Sequence, residues 1–236
     1  MRANVNPDLD SRLDRVAALG EPVRRALYRF VATQTAPVSR QQAAAGIGVA
    51  HHVAKFNLDR LVDDGLLDAE YRRPAGRGGP GAGRPAKLYH RAELDLEVSL
   101  PERRYDLAGR LLVRAVARAE RTATPVAETL REVAHEAGRD LGSTALVSHG
   151  QRRGQRQITE SIVDVLTRHG FEPSAKRDGI TLTNCPFHAL AHEETELVCG
   201  MNLALMEGLL DGVGAAKLTA ELDPAPARCC VKIRQR

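Results

Sequence analysis

Residues 37–65, PVSRQQAAAGIGVAHHVAKFNLDRLVDDG, hold the pattern from which the rest is read. Ser39 is a natural N-cap for a short helix over about 40–45, because its side-chain oxygen can accept from a free first-turn amide. Gly46 and Gly48 supply a turn. A second helix fits residues 50–64, with Val53, Leu58, Leu61 and Val62 inward and Gly65 as its stop. His51, His52, Lys55 and Asn57 are expected to project outward near its start. A short helix, a glycine turn and a longer helix with polar side chains near its start is the helix-turn-helix layout. In that layout the second helix enters the DNA major groove, where such side chains reach base edges and phosphates.

The flanks agree with this reading. Upstream, Leu9, Leu13, Val16 and Leu19 share one helical face, and Val23, Leu27 and Phe30 share another. Gly20 separates the two helices, and Pro22 suits the first turn of the second. Downstream, 66–72 (LLDAEYR) and 86–90 (AKLYH) read as short strands around PAGRGGPGAGRP. Between Tyr71 and Ala92 the basic residues are Arg72, Arg73, Arg77, Arg84, Lys87 and Arg91, with no acidic residue among them. A basic, glycine-rich hairpin tip is a wing that can follow phosphates or enter a minor groove. The expected fold class is therefore α+β: a winged helix-turn-helix DNA-binding domain over 1–92, then an α+β sensor and dimerisation domain.

Charge follows the same division. Residues 1–91 carry 15 Lys and Arg against 9 Asp and Glu, a net of +6, while the remainder nets −2. A basic first third points to a polyanion, here double-stranded DNA. A hydrophobic content of 43% across 236 residues argues against wholesale disorder. No apolar run approaches the roughly 18 residues of a membrane span. The start, MRANVNPDLDSRLDR, lacks the apolar core of a secretory signal, so a cytoplasmic, reducing compartment is expected.

Residues 93–104 shift in composition and contain Pro101, which suits a linker before a second domain over 105–236. Three amphipathic helices are expected there, carried by Leu107, Leu111 and Ala115, by Val126, Leu130, Val133, Ala137 and Leu141, and by Ile158, Ile162 and Val165. These are core and dimer-interface helices. The rest reads as two hairpins around one helix: strands at 171–174 and 180–183, a helix over 194–210, and strands at 217–222 and 231–233.

All four cysteines, Cys185, Cys199, Cys229 and Cys230, fall in the last 52 residues. Clustered thiols in a reducing compartment point to a soft metal rather than to disulfides. Close CxxC pairs, usual in structural zinc sites, are absent. Separated thiolates from a strand, a helix and a terminal segment fit an iron–sulfur cluster, with zinc or unmetallated thiols as the alternatives. Strand alternation sends Cys229 and Cys230 to opposite faces, so Cys229 is the surer ligand, and Cys230, His188 or His192 the fourth. A cysteine enzyme built on Cys185 and His188 is not expected, because no orienting third residue or oxyanion hole is readable.

The stretch from LGEPVRRALYRF through LDRLVDDGLL to GRPAKLYH resembles the winged-helix domain of ArsR-like bacterial transcriptional regulators, a resemblance that covers about residues 10–92. NCPFHALAHEETELVCGMNLALMEGLL followed by CCVKI resembles the sensor region of their SufR-type branch. That resemblance implies a homodimeric repressor whose operator affinity follows a cluster, of the [4Fe-4S] kind, bound by Cys185, Cys199 and Cys229. The chain departs from the cysteine pair that arsenic-responsive members carry in the DNA-reading helix. It also departs from the branch pattern in having its last two cysteines adjacent.

Overall fold

The computed structural model describes residues 7–72, 85–147, 154–176, 178–225 and 228–236. It is a mixed α+β protein in two compact units, Asp8–Val98 and Ser99–Arg236.

In the first unit, α1 (Pro7–Ala18) precedes α2 (Pro22–Ala32). The Glu21 carboxylate caps α2 by accepting from the amides of Val23 and Arg24. These bonds, that of Arg24 first, hold its pKa below the usual carboxylate range. Next come β1 (Val38–Ser39), α3 (Arg40–Ile47) and α4 (His51–Asp63). Ser39 and Gln42 form a capping box at the start of α3, and Gly48 ends it at φ +72°. The strands β2 (Leu67–Arg72) and β3 (Ala86–Arg91) pair antiparallel, Leu67 opposite Arg91 and Tyr71 opposite Lys87. β1 adds to the far edge of β3, giving the order β1-β3-β2. Two residues are too few to show a periodicity, so β1 was not expected. Leu27, Leu58, Leu61, Leu67 and Tyr89 are wholly buried between the helices and this sheet.

One polar network fastens α3 and α4 to β3. Asp59 accepts from the Tyr89 hydroxyl at 2.7 Å, from Lys87 Nζ at 2.6 Å and from Arg40 Nη2 at 3.2 Å. Arg40 Nε also donates to the Tyr89 oxygen at 2.7 Å. Burial raises the Asp59 pKa, but its hydrogen bonds from Lys87 and Tyr89 and the Arg40 charge outweigh burial and lower it. A depressed carboxylate stabilises the fold above its unfolded pKa, about 4, and that contribution disappears as pH falls through the folded value. Asp59→Ala strands two cations and a buried hydroxyl. We expect it to cost about 2–4 kcal/mol in denaturant unfolding of the full chain at pH 7. The difference from wild type is expected to shrink as pH falls below about 4. A cost that does not change with pH would contradict this assignment.

The second unit opens with α5 (Tyr105–Thr122), α6 (Val126–Val147) and α7 (Gln155–Arg168). Then follow β4 (Pro173–Lys176), β5 (Gly179–Leu182), α8 (His188–Glu193), α9 (Thr195–Gly212), β6 (Leu218–Leu222) and β7 (Val231–Gln235). β5 pairs with β7, which joins the two hairpins into one antiparallel sheet of order β4-β5-β7-β6. α9 is buried over most of its surface, as its nearly continuous apolar sequence requires. It lies close against α6 through Gly138 and Gly142 on one helix and Gly208 and Gly212 on the other. A Cβ at Gly138 would stand 2.0 Å from the Leu205 carbonyl oxygen, and one at Gly208 2.0 Å from that of His135.

Residues 93–104 divide between the units. Leu94 and Leu96 pack on the core of the first. Glu102–Arg104 bind the second, with the Arg104 amide donating to the Pro186 carbonyl at 3.0 Å. Among the described residues, no helix is long and apolar enough to cross a membrane.

Candidate functional site

The N-terminal half of α4 exposes His51, His52 and Lys55. Phe56, which the sequence reading passed over, is 68% exposed beside them. Its signal was present: Ala54, Leu58 and Leu61 define the inner face, and position 56 lies off it.

Asn57 does not project outward as expected. It is buried, its Nδ2 donating to the Val53 carbonyl and its Oδ1 accepting from Arg24 Nε. Three residues after Ala54 and four before Leu61, it must fall on the inner face. Lys87 is also corrected, since its ammonium is held by Asp59 inside the polar network. Arg72 is exposed and ion-paired with Glu70 at 2.8 Å. Arg73, Arg77 and Arg84 lie outside the described residues.

The four cysteines meet in the second unit. Cys185 sits in the loop after β5, Cys199 in the second turn of α9, and Cys229 and Cys230 just before β7. The side chains of Cys185 and Cys229 lie close enough to perturb one another, as do those of Cys229 with Cys230 and of Cys199 with Cys230. The contact with Cys229, then burial, pushes the Cys185 thiol well up. The contact with Cys185 lowers the Cys229 pKa, but Cys230 and burial outweigh it and take it up to about 11. Burial raises Cys199. As free groups these three are thiols at neutral pH, and ligation must release their protons.

A cavity of about 520 Å³ opens onto Cys185, Cys199 and Cys230. Cys229, 2% exposed, lies behind it. His188 and His192 line the cavity with their rings 4.5 Å apart. So do Arg103 and Arg228, and none of the described lining residues is a carboxylate. Asn202, 1% exposed in an otherwise apolar stretch of α9, donates from Nδ2 to Cys229 Sγ at 3.2 Å. Its Oδ1, and Nε of Arg228, are buried without a hydrogen-bond partner among the described residues.

This donor set fits a thiolate-bound cluster: four soft ligands, the Arg103 guanidinium at the cavity, and an amide donor to one sulfur, while Arg228 is already ion-paired with Asp223 at 2.9 Å. Among the described residues, no three His, Cys, Asp or Glu side chains are grouped as ligands of a single metal ion. A cluster asks for a different arrangement, because its thiolates bind separate irons. Asn202 was legible in advance as the polar residue of an apolar helix. Arg103 and Arg228 were not, because only the tertiary fold brings them to the cysteines. No family model, curated protein or solved structure matches this chain.

Proposed function

We propose that the chain is a DNA-binding transcriptional regulator of the ArsR-like winged helix-turn-helix kind, with an iron–sulfur cluster in its second unit controlling operator affinity. The observation that carries the reading is the meeting of all four cysteines, from three separate segments, at one cationic cavity. Cys185, Cys199, Cys229 and Cys230 would hold the cluster. When bound, it supplies a redox- and ligand-sensitive group whose gain or loss is the signal. The residues of this chain do the rest. Arg103 offsets its charge, and Asn202 donates to the Cys229 sulfur. In the first unit, α4 would enter the major groove, with His51, His52 and Lys55 at base edges and phosphates and Phe56 against thymine methyl groups. A homodimer would set two such helices about 34 Å apart, one DNA turn.

The contact between Cys185 and Cys229 also favours a second reading. Two thiols this close can lose two protons and two electrons to a peroxide and join as a disulfide, a switch that needs no metal. Iron and sulfide content separates the two.

DNA binding is tested by titrating labelled duplexes selected from a random pool. Affinity is expected to fall steeply with salt, each neutralised phosphate adding about 0.9 to the log–log slope. Arg77→Ala and Arg84→Ala are expected to weaken every sequence alike and to flatten that slope. His52→Ala and Lys55→Ala are expected instead to change the ranking of sequences by about tenfold or more, the scale of a lost base contact. If all four variants weaken binding uniformly, α4 is not the reading helix.

A further inference from the structure

The segment that leads out of the first unit is bound directly to the loop that carries Cys185. Asn184, 7% exposed, donates from Nδ2 to the Glu102 carbonyl at 2.9 Å and to that of Gly170 at 2.6 Å. Arg103 Nη1 donates to Asn184 Oδ1 at 2.6 Å and to the carbonyls of Cys185 and Glu102 at 3.2 Å. The Arg104 amide donates to the Pro186 carbonyl at 3.0 Å. The Arg103 amide is held in turn by Ser99 Oγ at 2.7 Å. Residues 102–104 thus trace the backbone of 184–186, and the Arg103 side chain continues into the thiol cavity.

From this juxtaposition we propose that Ser99–Arg104 is the strap through which the state of the cysteine centre reaches the DNA-binding unit, with Arg103 as the residue that positions it. The inference rests on the function proposed above and names how that site regulates. Cys185 and Cys229 are close neighbours, so a group seated between them must part them, and Cys229 is anchored by its amide to the Leu182 carbonyl at 2.9 Å. The Cys185 loop is hydrogen-bonded to the strap, so a displacement of the loop is carried to the strap. Pulling on residues 99–104 pulls on the chain that enters Val98, where the first unit ends. A two-state element biased at one site and read at another is what allosteric coupling requires.

The test uses the full chain, purified without oxygen, with iron and sulfide quantified in every sample. Deuterium exchange of peptides over 99–106 is compared between the cluster-loaded and the chelator-stripped protein. DNA affinity is measured in both states for wild type, Arg103→Gln, Arg103→Lys and Ser99→Ala. We expect at least a tenfold change in exchange at Arg103 and Arg104 between the two states. We also expect the ratio of loaded to stripped DNA affinity to collapse towards one in Arg103→Gln, with partial recovery in Arg103→Lys. A merely structural role would lower both affinities and leave their ratio unchanged, and that result overturns the strap. So does wild-type exchange over 99–106 that is the same in both states, a readout independent of how any variant folds. A wild type that takes up no iron overturns the reading beneath it, which is a different result from a responsive wild type with equally responsive variants.

Discussion

Gly208→Leu is expected to yield a chain whose second unit does not fold. The Cβ of any residue there would stand 2.0 Å from the His135 carbonyl oxygen and 2.8 Å from its carbon. Both are backbone atoms of α6, which cannot rotate aside as a side chain would. The neighbouring contacts are equally close. A Cβ at Gly212 would lie 2.3 Å from the Arg139 oxygen, and one at Gly142 2.6 Å from that of Leu209. The two helices can therefore separate only by disturbing the whole seam. Even Gly208→Ala is expected to destabilise by about 2 kcal/mol or more, because overpacking outweighs the roughly 1 kcal/mol that alanine gains in a helix. Gly109 on α5 is the internal control. Nothing lies within 4 Å of a Cβ there, so Gly109→Ala is expected to stabilise by up to about 1 kcal/mol. Denaturant unfolding followed by circular dichroism reads both. If Gly208→Ala and Gly109→Ala stabilise equally, the close approach of α6 and α9 is wrong.

Cys229→Ser and Cys185→Ser are each expected to remove most of the bound iron and sulfide and the visible absorbance with them. Serine keeps the shape of cysteine but offers a hard oxygen in place of a soft thiolate. At Cys229 the serine oxygen can still accept from Asn202 Nδ2, so the substitution removes the soft ligand and keeps the amide's partner. Cys199→Ser and Cys230→Ser test the remaining ligands. Since Cys230 lies beside both Cys199 and Cys229, it is the better fourth ligand than either histidine. His188→Ala and His192→Ala are accordingly expected to retain iron. Retention of iron by Cys230→Ser together with its loss in His188→Ala would reverse that assignment. DNA binding by the stripped cysteine variants is expected to match that of stripped wild type, because their lesion lies outside the first unit.

Much of the first unit was legible because its boundaries are local. Glu21-Pro22, Ser39 with Gln42, Gly48 and Gly65 each satisfy or end a helix terminus through neighbours a few residues away. α8 was missed because six residues show too little periodicity to tell a helix from a turn. The errors at Asn57 and Lys87 had another origin. Asn57 and Lys87 are polar residues whose partners, Arg24 and Asp59, lie 33 and 28 positions away. A polar side chain on an amphipathic helix or strand reads as exposed until such a partner is known. For the cysteines the sequence indicated a group but not its pairings. The fold sets Cys185 against Cys229. The joining of β5 to β7 brings this about, and nothing in either strand announces it.

The most direct test of the account is the ultraviolet–visible spectrum of the protein purified without oxygen, with iron and acid-labile sulfide measured on the same sample. The account predicts a brown protein with broad absorption around 400 nm, matched iron and sulfide, and loss of both with the colour on exposure to air or chelator. A colourless protein that stays colourless after anaerobic reconstitution with iron and sulfide would contradict it.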